Sequence, residues 1–176
     1  CTIMFAEKGI DTGDILAQEE FEIKLTDTIL SIHEKTFKIF PRLLLNVINQ
    51  IEQDTLVRHP QNNDESFYYH ARKPRDGVIL WDRMTAMDVY NKVRALTHPF
   101  PGAHTFYEGK MIKIWKASLL DEDIRGIPGR VCFRRKKGVV VITKNRALLI
   151  ETIQEDGKDA IPANEYFTRL GVDLES

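Results

Sequence analysis

The sequence predicts an α/β layer that runs out into a small antiparallel β-barrel, and three observations carry that reading. An apolar strand pattern at Cys1–Phe5 gives way to a glycine-flanked loop and a second alternating stretch. A long series of apolar residues at helical spacing follows between Ile29 and Ile51. Beyond Pro101-Gly102 the chain breaks into short strands separated by turns, the spacing of a compact barrel. Hydrophobic and charged shares of 43% and 29% over 176 residues sit near globular averages, which excludes disorder as the default state. No apolar run approaches the roughly 18 residues that cross a bilayer. Lys plus Arg number 25 and Asp plus Glu 26, so the net charge of -1 gives no global reason to bind nucleic acid. Two cysteines, Cys1 and Cys132, cannot build a disulfide framework, and no Cys/His pair has zinc-site spacing. No metal is expected, and the predicted location is cytoplasmic.

Taken in order, Cys1-Thr2-Ile3-Met4-Phe5 reads as a short buried strand. It opens mid-pattern, without an initiator Met or a signal segment, which predicts that the chain is the tail of a longer protein. Gly9 to Asp14 favours a tight loop, because glycine and aspartate are turn residues. Ile15 to Ile23 alternates as a second strand, with Phe21 and Ile23 on one face. Thr26 or Asp27 can cap the helix that follows. Its apolar series is Ile29, Ile32, Phe37, Phe40, Leu44, Val47, Ile48 and Ile51, and Pro41 predicts a kink or break within it. Residues 1–64 thus read as the end of an α/β domain.

Residues 65–102 form a linker and a helix. Two turn-rich stretches precede Thr85 and Asp88, whose spacing is that of a capping arrangement. The helix packs through Val89, Val93 and Leu96 and ends before Pro99. Residues 103–176 hold the barrel: strands at Thr105–Tyr107 and Met111–Trp115 around a Glu108-Gly109 turn, then Arg130–Arg134, Val139–Thr143 and Ala147–Ile153. A closing helix is expected from Pro162 to about Leu170, with Gly171 as its stop.

Asp11 is the leading candidate for chemistry. It follows a strand in a glycine-flanked loop, where ligands of open sheets bind beyond the carboxyl ends of parallel strands. A carboxylate there can orient and charge-stabilise a histidine used in proton transfer; the same residues also suit a plain Asx turn. The surrounding Gly9-Ile10-Asp11-Thr12-Gly13-Asp14-Ile15-Leu16-Ala17-Gln18 closely resembles the loop of the folate-dependent formyltransferases. Three further landmarks join it in the expected order: Arg72-Lys73-Pro74-Arg75-Asp76-Gly77, then Val93-Arg94-Ala95-Leu96-Thr97-His98-Pro99-Phe100-Pro101-Gly102-Ala103, then Lys113-Ile114-Trp115-Lys116-Ala117. The resemblance implies the C-terminal part of a Rossmann-like formyltransferase domain followed by an OB-like antiparallel barrel.

It also implies a mechanism. The substrate amine attacks the formyl carbon of 10-formyltetrahydrofolate, an oxyanion develops that needs a hydrogen-bond donor, and the new ammonium sheds a proton. In this family an Asn, a His and an Asp share those duties, and Asp11 matches the Asp. The Asp holds the imidazole and favours its protonated form. Glu7, Lys8, Gly9 and Ile10 match the loop whose backbone lines the pterin pocket. The family's Asn and His lie upstream of the Asp, outside this chain, so this polypeptide by itself is expected to be inactive. Arg72 matches an Arg that supports the active site in the sugar-modifying branch, where a planar fork can grip a phosphate or carboxylate. From the residues alone it reads rather as a solvated linker charge.

Arg94 suits a structural duty at the proline-rich loop, and His98 and His104 receive no role. Leu80 stands where family members often carry an acid, while Trp81 keeps the packing half of that motif. Arg134-Arg135-Lys136-Lys137 is the one basic cluster, on a segment from Ala103 onward holding 13 basic and 11 acidic side chains, a poor track for tRNA. The reading is an N-formyltransferase acting on a nucleotide-linked amino sugar, with methionyl-tRNA formyltransferase as the alternative. A non-catalytic binding or dimerisation module is the alternative of another class. The implied partners are a nucleotide sugar first and tRNA second, with no membrane. Exposed strand edges make a homo-oligomer plausible.

Overall fold

A computed structural model describes residues 1–176, the side chain of Asn63 excepted. The chain divides into two compact units, one of Cys1–Asp27 with Ser31–Ala71, the other of Thr28–Leu30 with Arg72–Ser176.

In the first unit two short strands, β1 (Thr2–Met4) and β2 (Ile15–Gln18), pair antiparallel with Ile3 opposite Ala17. This departs from the expected setting of Asp11 beyond parallel strands: the loop between Met4 and Ile15 turns the chain straight back. Period-two alternation is the same for either direction, so the pattern could not distinguish them. The strands are half-buried rather than buried. β2 also ends at Gln18 instead of continuing to Ile23, whose side chain is 61% exposed. His59 extends the ribbon, exchanging both backbone bonds with Ile15 at 2.9 and 3.0 Å.

Helix α1 (Ile29–Glu52) runs through Pro41 without a break. Its buried residues, Ile39, Leu43 and Val47, recur every fourth position on both sides of the proline. Their packing offsets the lost N–H bond and ring clash, of about 3 kcal/mol. A second apolar series at helical spacing, Phe37, Phe40, Leu44, Ile48 and Ile51, is exposed. Before the helix, Asp27 accepts the Lys24 backbone N–H at 2.7 Å and the Ser31 hydroxyl at 2.8 Å, and pairs with the Lys35 ammonium. The Lys35 bond, then the Lys24 and Ser31 bonds, pull its carboxyl from 3.8 down to about 2. A carboxyl lowered by folding stabilises above its unfolded value and loses that contribution as pH falls through its folded value. Asp27→Asn should therefore lower the melting temperature at pH 7. The gap from the parent protein should close between about pH 4 and pH 2, read by thermal scans across that range. A gap independent of pH would show that the charge is not what matters.

The second unit opens with a 3₁₀ turn at Pro74–Gly77 and helix α2 (Ala86–Leu96). Thr85 and Asp88 form the expected capping box: Thr85 Oγ1 accepts from the Asp88 N–H at 3.1 Å, and Asp88 Oδ2 accepts from the Thr85 N–H at 2.9 Å. Strands β3 (Ala103–Tyr107), β4 (Lys110–Leu119), β5 (Val131–Arg135), β6 (Gly138–Ile142), β7 (Ala147–Glu155) and β8 (Ile161–Pro162) form one antiparallel sheet. Its order is β3-β4-β7-β6-β5, with β8 beside β7. Glu108 and Gly109, both at positive φ (50° and 73°), make the tight β3–β4 hairpin. α2 and the sheet enclose a core that includes Trp81, Val89, Ile112, Ile114, Leu148 and Ile150.

The ladder is open, not the closed barrel that strand spacing suggested: among the described residues no strand joins β3 to β5. Residues 172–175 lie across that gap instead. Val131 N–H bonds to Val172 O at 2.9 Å, Leu174 N–H to Gly129 O at 2.9 Å, and Phe106 and Glu175 exchange two bonds at 3.0 and 2.8 Å. Arg130 grips Asp173 through two N–H···O bonds of 2.8 and 3.0 Å. This explains a second departure: the closing helix, α3, is only Ala163–Tyr166. Beyond it the chain must leave helical geometry to reach the two edges, and Gly171 takes up a φ of 78° on the way.

Candidate functional site

Asp11 lies in the loop between β1 and β2 and is exposed, with φ at 54°. A left-handed conformation is uncommon for a side chain other than glycine, and Asp and Asn tolerate it best. Three contacts shape the loop. Phe5 N–H bonds to Asp14 O at 3.0 Å and closes its base. Gly13 presses against Phe5: a Cβ there would stand 1.9 Å from the Phe5 carbonyl oxygen, so only glycine fits. Gln61 reaches in from the extended segment after His59, its Nε2 donating to Asp11 O at 2.9 Å and to Gly13 O at 2.6 Å. The Arg58 guanidinium lies over the Phe5 ring, 4.1 Å from its centre.

Glu7, Lys8, Gly9 and Ile10 occupy the same loop and are all exposed. Ile10 is 75% exposed, an apolar side chain with little cover of its own. The five loop candidates therefore share one short segment of the first unit, while Arg72 belongs to the second.

Arg72 stands exposed on the wall of a groove in the second unit, with Arg75, Lys92, Phe100, His104 and Lys113. Lys92 donates to Asp76 O at 3.0 Å and to Val78 O at 2.7 Å, and burial lowers its pKa. Lys113 pairs with Asp156 at 3.2 Å. His104, only 8% exposed, is held below the usual imidazole value, chiefly by burial. Lys92 and Lys113 are thus engaged with the protein, while Arg72 is an exposed guanidinium on the groove wall.

The proline-rich loop rests on β4: His98 stacks on Trp115 with ring centres 3.9 Å apart, and Thr97 Oγ1 donates to Trp115 O at 3.2 Å. Arg94 donates to Asn91 Oδ1 at 2.9 Å, a contact within α2. In the basic cluster, Arg134 bonds Asn164 O and Arg135 pairs with Glu122. No group of metal-binding side chains occurs among the described residues, and no described helix is long and apolar enough to cross a membrane.

Residues 72–171 match the family model described as formyl transferase, C-terminal domain. The methionyl-tRNA formyltransferase of Alkaliphilus oremlandii is 33% identical over 165 residues, which cover 94% of this chain and 53% of that protein. The methionyl-tRNA formyltransferase of Clostridium tetani has the same identity and the same coverage, 33% over 94% of this chain and 53% of its own length. The chain thus spans about half the length of the curated relatives it matches. Among solved structures, HypX from Aquifex aeolicus in complex with tetrahydrofolic acid superposes with a TM-score of 0.71 at 22% identity, over 94% of this chain and 29% of that one. WlaRD, a sugar 3N-formyl transferase solved in the presence of dTDP and 5-N-formyl-THF, gives 0.62 at 22% identity, over 90% of this chain and 55% of that one. These likenesses establish a shared fold.

Proposed function

Since the chain belongs to the formyl transferase family, through that family's C-terminal domain, we propose that the intact protein moves a formyl group from 10-formyltetrahydrofolate to the amine of methionyl-tRNA. The observation that carries this acceptor is the 33% identity to methionyl-tRNA formyltransferases over 94% of the chain, well beyond the family model's residues 72–171. It outweighs the sugar-branch likeness of the Arg72-Lys73-Pro74 and Thr97–Ala103 segments, because the sugar N-formyltransferase neighbours stand at 22% identity and speak for the fold. A nucleotide-linked amino sugar is the second reading, supported by those two segments.

In this reading Asp11 is the carboxylate that orients an imidazole supplied by upstream polypeptide and stabilises its charged form. The exposed backbone of Glu7–Ile10 lines the folate pocket, and the uncovered Ile10 side chain suits the face of a flat heterocycle. Bound there, the folate supplies the activated formyl group. Arg72 receives a phosphate of the acceptor.

The test is a formylation assay with intact protein and 10-formyltetrahydrofolate, offering charged initiator tRNA and a nucleotide-linked amino sugar separately. Formyl-methionyl-tRNA as the product supports the proposal. Turnover of the sugar alone moves the protein to the second reading, and no turnover of either leaves a binding module.

A further inference from the structure

We infer that Gln61 is a positioning residue that fixes the Asp11 loop for catalysis, an inference that rests on the role given to Asp11 above. The contacts lie within the first unit and join residues 50 and 48 positions apart. A primary amide has two N–H donors on one nitrogen. Both find carbonyls here, one on each side of Thr12, and Met4 Sδ lies 3.8 Å from the same nitrogen. The opposite amide orientation would set its oxygen against two carbonyl oxygens, so the partners dictate which atom points inward.

The reach of Gln61 is set by the fold. His59 pairs with Ile15, so two residues later Gln61 falls level with Gly13 across the antiparallel ribbon. The amide therefore holds the Asp11–Thr12 and Gly13–Asp14 peptides and fixes the carbonyl of the residue that adopts a left-handed φ of 54°. That carbonyl shares the Asp11 Cα with the carboxylate side chain, so restraining its peptide plane restrains the backbone from which the carboxylate leaves the loop. A misplacement of about 1 Å in a catalytic group can cost roughly 10²-fold in rate.

The test compares Gln61→Met, similar in size but without the donors, with Asp11→Asn and with the double variant in the intact protein. Q61M should lower kcat by about 10- to 100-fold with KM for the acceptor within about twofold. The double variant should be no slower than D11N alone, because one change acts through the other. Tryptic cleavage after Lys8, followed by mass spectrometry, should run several-fold faster in Q61M. Should Q61M fail to accumulate, Gln61→Asn, which keeps the amide but shortens its reach by one methylene, enters the same comparisons. Wild-type turnover in Q61M, or additive losses in the double variant, would overturn the inference. Full activity in D11N would instead remove the catalytic reading and the positioning role with it, while the cleavage rate would still report whether Gln61 holds the loop.

Discussion

Asp11→Asn in the intact protein is expected to lower turnover by about 10²- to 10⁴-fold, the span that a positioned acid–base group contributes. The melting temperature should move by no more than a degree or two. The exposed carboxylate is not part of a packed core, and Asn tolerates the same left-handed backbone at a φ of 54°. The substitution keeps shape and removes charge, so an imidazole facing it loses the partner of its protonated form. Steady-state rates and a thermal scan of the two proteins make the comparison. Unchanged turnover would take Asp11 out of the mechanism, and a large fall in melting temperature would mean that the residue holds the loop together.

The second large effect concerns stability. Trp81 is 2% exposed, and its Nε1 donates to Thr105 Oγ1 at 2.9 Å, which in turn donates to Glu175 O at 2.6 Å. Trp81→Ala should cost about 3–5 kcal/mol through lost burial and the cavity left behind. In a chain of this size that lowers the melting temperature by roughly 10 °C. Trp81→Phe keeps most of the apolar area but orphans the Thr105 hydroxyl from its donor, and should cost about 1–2 kcal/mol. Chemical denaturation of the three proteins orders them wild type, Phe, Ala. Equal losses in both variants would show that the hydrogen bond outweighs the packing.

What could be seen from residues alone was what short-range chemistry decides. The Thr85–Asp88 box depends on a spacing of three, and the Glu108-Gly109 hairpin on two positions that accept positive φ. Both stand where the sequence placed them. The direction of β2 against β1 was hidden, because alternation carries no sign, and the length of the last helix was hidden because distant edges draw its end away. The candidate site divides the same way. Asp11 announced itself through its glycine-rich surroundings, but nothing local set Gln61 apart in the polar run Gln61-Asn62-Asn63-Asp64. Its meaning comes from the pairing of His59 with Ile15, a contact between segments more than forty residues apart. His104 looked like an idle imidazole beside a proline loop, and only the enclosing Gly77 and Phe106 make it a buried one.

The strap formed by Val172 to Glu175 bears on how the molecule is made. Synthesis proceeds from the amino end, so every strand of the sheet leaves the ribosome before the segment that bridges its first and fifth members. Until that segment emerges, two rows of backbone donors and acceptors stay open to other nascent chains. A stop codon just ahead of Val172 would thus release a sheet with all its strands in place, yet adhesive.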